Sequence, residues 1–331
     1  MTAAVPAGRM AAVSINPGEM HPGQHPVGDG LVRRLVAGRF PRWAGMTVER
    51  FPSGGTVNAM YRLGEDMVVR LPLREGGAED IATERDWLPR LAPLLPTAVP
   101  QVLGAGEPAE GYPWRWSVHR WLAGENPEAG ALEDPVALAR DLAAFVAAMR
   151  SITLAGAPQA YRGGPLAALD APTRAAIGEL RLIPEEGVDC DALTAVWEDA
   201  VRAGEWDAQP VWLHGDLMPG NLLVDGGRLT SVIDFGCTGV GDPACDLFPA
   251  WNLLPAGARK VFREALGVDE TTWARGRGRT LSQAVIALPY YRTTNPAMAR
   301  NARHVIREVL AERRTGGDGV STRPLPFRPH P

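Results

Sequence analysis

Apolar residues recur with two different periods along this chain, and the period changes near Gly124. Before that point short runs dominate. T-V-E-R-F-P (47–52), V-N-A-M-Y-R-L (57–63) and M-V-V-R-L-P (67–72) have the length and β-branched content of strands. Ser53-Gly54-Gly55-Thr56 and Gly64-Glu65-Asp66 stand between them as turns. Residues 101–106 and 114–122 predict further strands. Helical spacing interrupts this stretch twice. It does so over 29–40, with Leu31, Leu35 and Val36 and with Asp29 as N-cap, and over 78–92, with Ile81, Trp87, Leu88 and Leu91. After Gly124 the period is helical: 134–151, 166–182 and 189–204, then 243–254, 256–266, 270–288 and 296–313. Only the segment from His214 to Asp234 reads differently, as loop, strand, turn and strand. The pattern therefore predicts an α+β chain with a β-rich lobe over 28–122 and an α-rich lobe over 123–314.

The flanks add little to a fold. Pro6, Pro17, Pro22 and Pro26 interrupt any helix within 1–27, which has no continuous apolar core of the signal-peptide kind, and 315–331 is rich in Gly and Pro. Both are expected to be disordered. The hydrophobic fraction of 45% allows a sizeable core, and the net charge of −4 gives no reason to expect a nucleic acid or an anionic membrane as partner. No run approaches the roughly 18 apolar residues of a spanning helix. Cys190, Cys237 and Cys245 fit neither a zinc site nor a disulfide framework, so a reduced, cytoplasmic protein is expected.

The chemistry concentrates in H-G-D-L-M-P-G-N-L-L-V (214–224) and V-I-D-F-G (232–236). Asp216 and Asn221 share one short loop, and Asp234 ends the strand that follows. Magnesium takes oxygen ligands and shares them with nucleotide phosphates, while phosphoryl transfer also needs an acid that orients the accepting hydroxyl. Asp216 can be that acid, and Asn221 with Asp234 the metal ligands. A lone D-F-G or H-x-D is a weak signal; both at this spacing form a specific one.

These residues resemble the aminoglycoside phosphotransferase family, a branch of the protein-kinase-like fold. S-G-G-T-V-N-A-M-Y-R-L, M-V-V-R-L-P, the two motifs above and G-D-P-A-C-D-L carry the likeness, which spans about Leu31 to Arg313. The resemblance implies a bilobal kinase-like fold and transfer of the terminal phosphate of ATP, with GTP not excluded, to a small molecule's hydroxyl. It implies Asp216 as catalytic base, Asn221 and Asp234 as Mg2+ ligands, and Ser53, Gly54, Gly55 and Thr56 as the loop over the phosphates. Val118, His119 and Trp121, within the segment 118–122, become the hinge whose main chain meets adenine. His214 and Asp246 become supports of the catalytic loop, with a general-base role as the alternative for His214.

Two departures refine the class. Gly215 stands where protein kinases carry Arg, and Asp234 and Asp246 are only twelve residues apart, too close for a regulated activation segment with a peptide platform. The acceptor is thus expected to be small. The second departure is the phosphate-clamping lysine. Of 34 basic residues only Lys260 is a lysine, so Arg70 occupies that place, with Glu84 the best partner and Glu79 and Glu75 as others. For the acceptor the sequence offers candidates only: Trp251, Tyr290, Tyr291 and Asn295, and the acidic stretch 170–207, which suits a cationic antibiotic or a plain solvated helix surface. An antibiotic-modifying kinase, a metabolic kinase acting on a sugar, amino alcohol or glycated amine, and a catalytically silent nucleotide-binding regulator all remain open.

Overall fold

The computed structural model describes residues 24–51, 57–183 and 187–317. Packing divides the chain into two compact units, one holding the residues up to Arg85 with Gln101–Trp121, the other Asp86–Pro100 and everything from Leu122.

In the first unit, helix α1 (Asp29–Arg39) precedes strands β1 (Val48–Phe51), β2 (Asn58–Leu63) and β3 (Met67–Pro72), the part of helix α2 (Gly76–Leu91) up to Arg85, and strands β4 (Val102–Gly106) and β5 (Trp116–Arg120). The strands form one antiparallel sheet in the order β1-β2-β3-β5-β4. Because side chains alternate across a strand, register sorts them onto two faces. Tyr61, Leu63, Val69, Leu71, Trp116 and Val118 pack with Val32, Leu35 and Val36 of α1 and with Trp43 as the core. The opposite face carries Met60, Arg70 and Ser117 in one cross-strand row and Arg62, Val68 and His119 in the next. The N-cap of α1 is Gly28; Asp29 is the first helical residue and makes no capping bond, so its carboxylate serves the helix dipole instead.

The second unit contains α3 (Pro135–Arg150), α4 (Asp170–Leu182), α5 (Cys190–Arg202), β6 (Val211–Leu213), β7 (Leu222–Asp225), β8 (Arg228–Val232), β9 (Gly239–Gly241), α6 (Pro249–Asn252), α7 (Ala256–Leu266), α8 (Glu270–Tyr291) and α9 (Pro296–Gly317). β7 and β8 form a hairpin, and β6 pairs with β9. The segment Asp86–Pro100 joins this unit through the Trp87 ring, 4.8 Å from that of Trp212, and a parallel bridge from Ala98 to Ser231. The helix expected over 243–254 breaks into a 3-10 segment, Pro243–Leu247, and α6, because Asp246 leaves helical geometry (φ −86°, ψ 18°). The helix expected over 270–288 runs on through Pro289 to Tyr291. Among the described residues no helix is long and apolar enough to cross a membrane.

Candidate active site

Strand β6 ends at Leu213, and the chain turns sharply just after His214. Gly215 has φ +81°, and a Cβ there would lie 2.7 Å from the Cys237 carbonyl oxygen, so an arginine cannot occupy the position without moving backbone. Asp246 holds the turn: its Oδ2 accepts the His214 N–H and its Oδ1 the Gly215 N–H, each at 2.8 Å. Burial pushes the Asp246 carboxyl upward, and the His214 ring and these two N–H groups oppose it. The His214 ring is committed at both nitrogens. Nδ1 accepts the Asp216 N–H at 3.2 Å, which makes Nε2 the donor to the Ile233 carbonyl at 3.1 Å. With its ring also edge-on to Phe235, 4.6 Å between centroids, His214 braces the loop and has no lone pair left for a substrate proton.

The β7–β8 register pairs Leu222 with Val232, and the Ile233 N–H continues it to the Asn221 carbonyl at 2.9 Å. The hairpin thereby sets Asn221 beside the chain entering Asp234. Asn221 Nδ2 donates to the Asp216 carbonyl at 2.8 Å and to Asp216 Oδ2 at 3.1 Å, leaving the amide oxygen over. Asp234 itself adopts φ +66°, ψ +71°, a left-handed conformation uncommon for a residue other than glycine and concentrated at functional sites. Burial raises the Asp216 carboxyl above its ordinary range; Arg162 opposes this and the charge of Asp234 adds to it. Asp216, Asn221 and Asp234, spread over the sequence from a loop to a strand end, are thus drawn together by one turn and one hairpin.

In the first unit Arg70 of β3 and Glu84 of α2 form a buried pair. Arg70 Nη1 lies 2.7 and 2.6 Å from the two carboxylate oxygens. The fourteen-residue separation, rather than that to Glu75 or Glu79, matches the distance from mid-strand to the third turn of the helix. His119 shares the Arg70 face, and its ring is held neutral by burial first and the nearby guanidinium second. Val118 lies in a strand flanked on both edges, by β3 and β4, and its side chain is in the core against α1. Trp121 also spends its N–H, on the Asp66 carbonyl at 2.7 Å, and its ring lies against Arg62 and Phe51. Ser53, Gly54, Gly55 and Thr56 lie outside the described residues.

The family model of the phosphotransferase enzyme family matches residues 47–279, well over half of the chain. The chain belongs to the phosphotransferase enzyme family. Aminoglycoside 3'-phosphotransferases of Escherichia coli and Salmonella typhimurium are 32% identical to it over 78 residues, which cover 22% of this chain and 28% of each relative. Among solved structures, the GDP and kanamycin complex of APH(2")-IIia superposes with a TM-score of 0.69 at 20% identity, covering 85% of this chain and 98% of that one. The macrolide 2'-phosphotransferase of Brachybacterium faecium gives 0.55 at 22%, covering 84% and 97%. At these identities the likeness establishes the fold: the kinase-like sheet followed by a mainly helical part.

The acceptor candidates divide. Trp251 is fully buried, and its indole N–H donates to Glu312, which also receives the Trp273 indole; it is core, because a tryptophan on so short a helix as α6 is packed between α8 and α9. Asn295 is the cap of α9, its Oδ1 accepting the Met298 N–H at 3.2 Å. Tyr290 and Tyr291 pair edge-on at 4.7 Å at the end of α8, with Tyr290 exposed. The acidic stretch is largely spent inside its own helices. Asp170 binds Arg174 and the Trp197 indole, Asp189 caps α5, Asp191 pairs with Arg181, and Glu205 accepts the N–H groups of Leu166 and Ala167.

Sequence reasoning missed the residues that pin the loop from His214 to Leu222 from a distance. Asn126 Nδ2 donates to the Leu222 carbonyl at 2.8 Å and the Gly220 carbonyl at 3.1 Å. Buried Asn252 donates to the Leu217 carbonyl at 3.1 Å. Arg162 places Nη1 3.0 Å from Asp216 Oδ1. Their partners are backbone carbonyls or residues far along the chain, so no local spacing marks them.

Proposed function

We propose that this phosphotransferase moves the terminal phosphate of a nucleoside triphosphate to a hydroxyl of a small molecule. The observation that carries this reading is the placement of Asp216, Asn221 and Asp234 by a single turn and hairpin, two carboxylates and an amide oxygen with no cysteine or imidazole among them. Such a hard-oxygen set suits Mg2+, which takes one or two protein ligands and leaves the rest to phosphate and water. Asn221 and Asp234 would hold it; when bound, it neutralises charge on the phosphates. Asp216 would accept a hydrogen bond from the acceptor hydroxyl, aim its oxygen at phosphorus and take the proton as the new bond forms. Arg70, oriented by Glu84, would hold the phosphates that are not transferred, with Ser53–Thr56 as the loop over them; a guanidinium keeps its charge there and can bind oxygens in a fork.

ATP is the expected donor, with GTP the alternative, in keeping with structural relatives solved with GDP, ADP or ATP. A hydroxylated antibiotic of the aminoglycoside class is the favoured acceptor, since relatives of the same fold were solved with kanamycin, gentamicin and streptomycin. The exposed Tyr290, with Tyr291, is the side-chain pair retained for the acceptor wall. The reaction belongs in the cytoplasm, where nucleoside triphosphates are supplied.

An ADP-release assay tests this over aminoglycosides, macrolides, sugars and amino alcohols, with Asp216→Ala as control. Wild type should turn over with at least one acceptor and only with Mg2+, and Asp216→Ala should lose roughly 10²–10⁴-fold of that rate. If no acceptor raises turnover and nucleotide binds equally well without the metal, the reading is wrong.

A further inference from the structure

Arg162 lies far from the catalytic motifs in sequence, yet its guanidinium reaches the centre. Nη1 is 3.0 Å from Asp216 Oδ1, an ion pair without a well-aligned hydrogen bond, and 3.3 Å from the Cys237 sulfur, which it approaches as a donor. Nε and Nη2 have no protein acceptor among the described residues, and 32% of the side chain stays open to solvent. A cation with unused donors therefore stands beside the carboxylate assigned to the accepting hydroxyl.

Its position is built rather than incidental. Residues 158–163 lie along the chain that follows Asp234: the Val240 N–H donates to Pro158 O, and the N–H groups of Ala160, Tyr161 and Asp242 donate to Val240 O, Cys237 O and Gly163 O. The two backbones touch where Gly241 meets Gly163 and where Gly239 meets Pro158 and Ala160. A Cβ on Gly239 would lie 2.5 Å from Pro158 O, and one on Gly241 2.6 Å from Gly163 O. From behind, Arg279 Nη1 donates to the Arg162 carbonyl at 3.0 Å and Nη2 to the Gly164 carbonyl at 2.6 Å. Arg279 is in turn anchored on Asp242, which also holds Arg275, with all three side chains buried. Buried ion clusters are costly unless every member is satisfied, and part of this one's hydrogen-bonding capacity is used to fix the loop that delivers Arg162.

We propose that Arg162 is a further catalytic residue of this site, holding Asp216 through Nη1 and neutralising the transferring phosphoryl group with its remaining donors. In the step, the acceptor oxygen bonds to the terminal phosphorus, the bond from that phosphorus to the bridging oxygen breaks, the nucleoside diphosphate leaves with the electron pair, and the hydroxyl proton passes to Asp216. Charge spread over the three equatorial phosphoryl oxygens in that transition state is what a guanidinium supplied within the same chain stabilises. The assignment rests on the phosphotransferase reading above.

The test is a double-mutant cycle with Arg162→Gln, Arg162→Lys, Asp216→Asn and Arg162→Gln/Asp216→Asn, in the full chain, with thermal unfolding recorded for each. Arg162→Gln should lower kcat roughly 10²-fold or more, leave the KM values for nucleotide and acceptor within about two-fold, and keep the wild-type Tm. Arg162→Lys should recover part of the rate by restoring the charge. In the Asp216→Asn background Arg162→Gln should still reduce the residual rate. Unchanged kcat, a loss carried by KM, or no further loss in the Asp216→Asn background would each overturn the assignment, the last by showing that Arg162 only steadies Asp216. If Arg162→Gln unfolds, Arg162→Lys decides instead: wild-type kcat in that variant overturns the fork role, and a folded variant of reduced kcat supports it. An active wild type with an unaffected Arg162 variant sinks this inference alone, whereas a wild type inert on every acceptor sinks the phosphotransferase reading and this inference with it.

Discussion

Gly215 and Asp234 both hold positive φ, and they do so for opposite reasons. At Gly215 the chain must pass so close to Cys237 that a side chain has no room. At Asp234 the proposed metal ligand needs its carboxylate, so the backbone accepts a strain that glycine would avoid. The contrast gives a prediction. Gly215→Ala should destabilise the fold by about 1–3 kcal/mol through the φ it must keep, with the clash at Cys237 adding to it, and a lowered midpoint in urea unfolding checks this. Wild-type stability in that variant would mean that the turn can relax. His214 makes a similar point about roles: its motif leaves a brace or, as the alternative, a base, and both of its ring nitrogens are engaged in hydrogen bonds.

Elements in the second unit are set by caps as much as by apolar spacing. Asp134 caps α3, Asp189 caps α5, and Asp269 caps α8 by accepting the Thr272 N–H at 2.6 Å. That backbone bond, first among several, lowers the Asp269 carboxyl below its ordinary value. A carboxylate with a depressed folded-state pKa adds stability above its unfolded value, and the addition disappears as pH falls through the folded value. Asp269→Ala should therefore cost about 1 kcal/mol at pH 7 and almost nothing well below the usual carboxylate range. Denaturant titrations of both proteins at pH 7 and near pH 2.5 give the comparison; a cost that is independent of pH would show that the carboxylate's charge is not what caps α8. The same spacing rules located α3, α5 and α7 to within a residue or so, because capping and amphipathic faces are local. They failed over 243–254, where Asp246 departs from the helix to accept the N–H groups of His214 and Gly215, about thirty positions earlier.

In the molecule as a whole, cations are arginines almost without exception: Lys260 is the single lysine among 34 basic residues. Among the described residues four arginines are buried, at 70, 259, 275 and 279, where a planar guanidinium presents more donors, in a fixed fork, than an ammonium can. Asp242 balances two of them, at 3.0 and 3.1 Å. Asp242→Asn should cost on the order of 3–5 kcal/mol, since it strands two buried positive charges; equilibrium unfolding in urea measures it, and a cost below about 1 kcal/mol would show that water reaches the cluster. The hydrophobic periods were enough to separate a β-rich from an α-rich part, and the spacing of His214, Asp216, Asn221 and Asp234 was enough to propose the chemistry, because a short loop and a hairpin bring those residues together whatever surrounds them. Even the Arg70–Glu84 pair was legible, as a strand and the helix after it have fixed rise per residue. Burial was not. Val118, Trp251 and Asn295 look available in sequence and are consumed by core and cap. Arg162 and Asn126 reach the centre only because distant backbones pack against each other, and such approaches depend on how helices and strands fill three-dimensional space, which no local pattern of residues encodes.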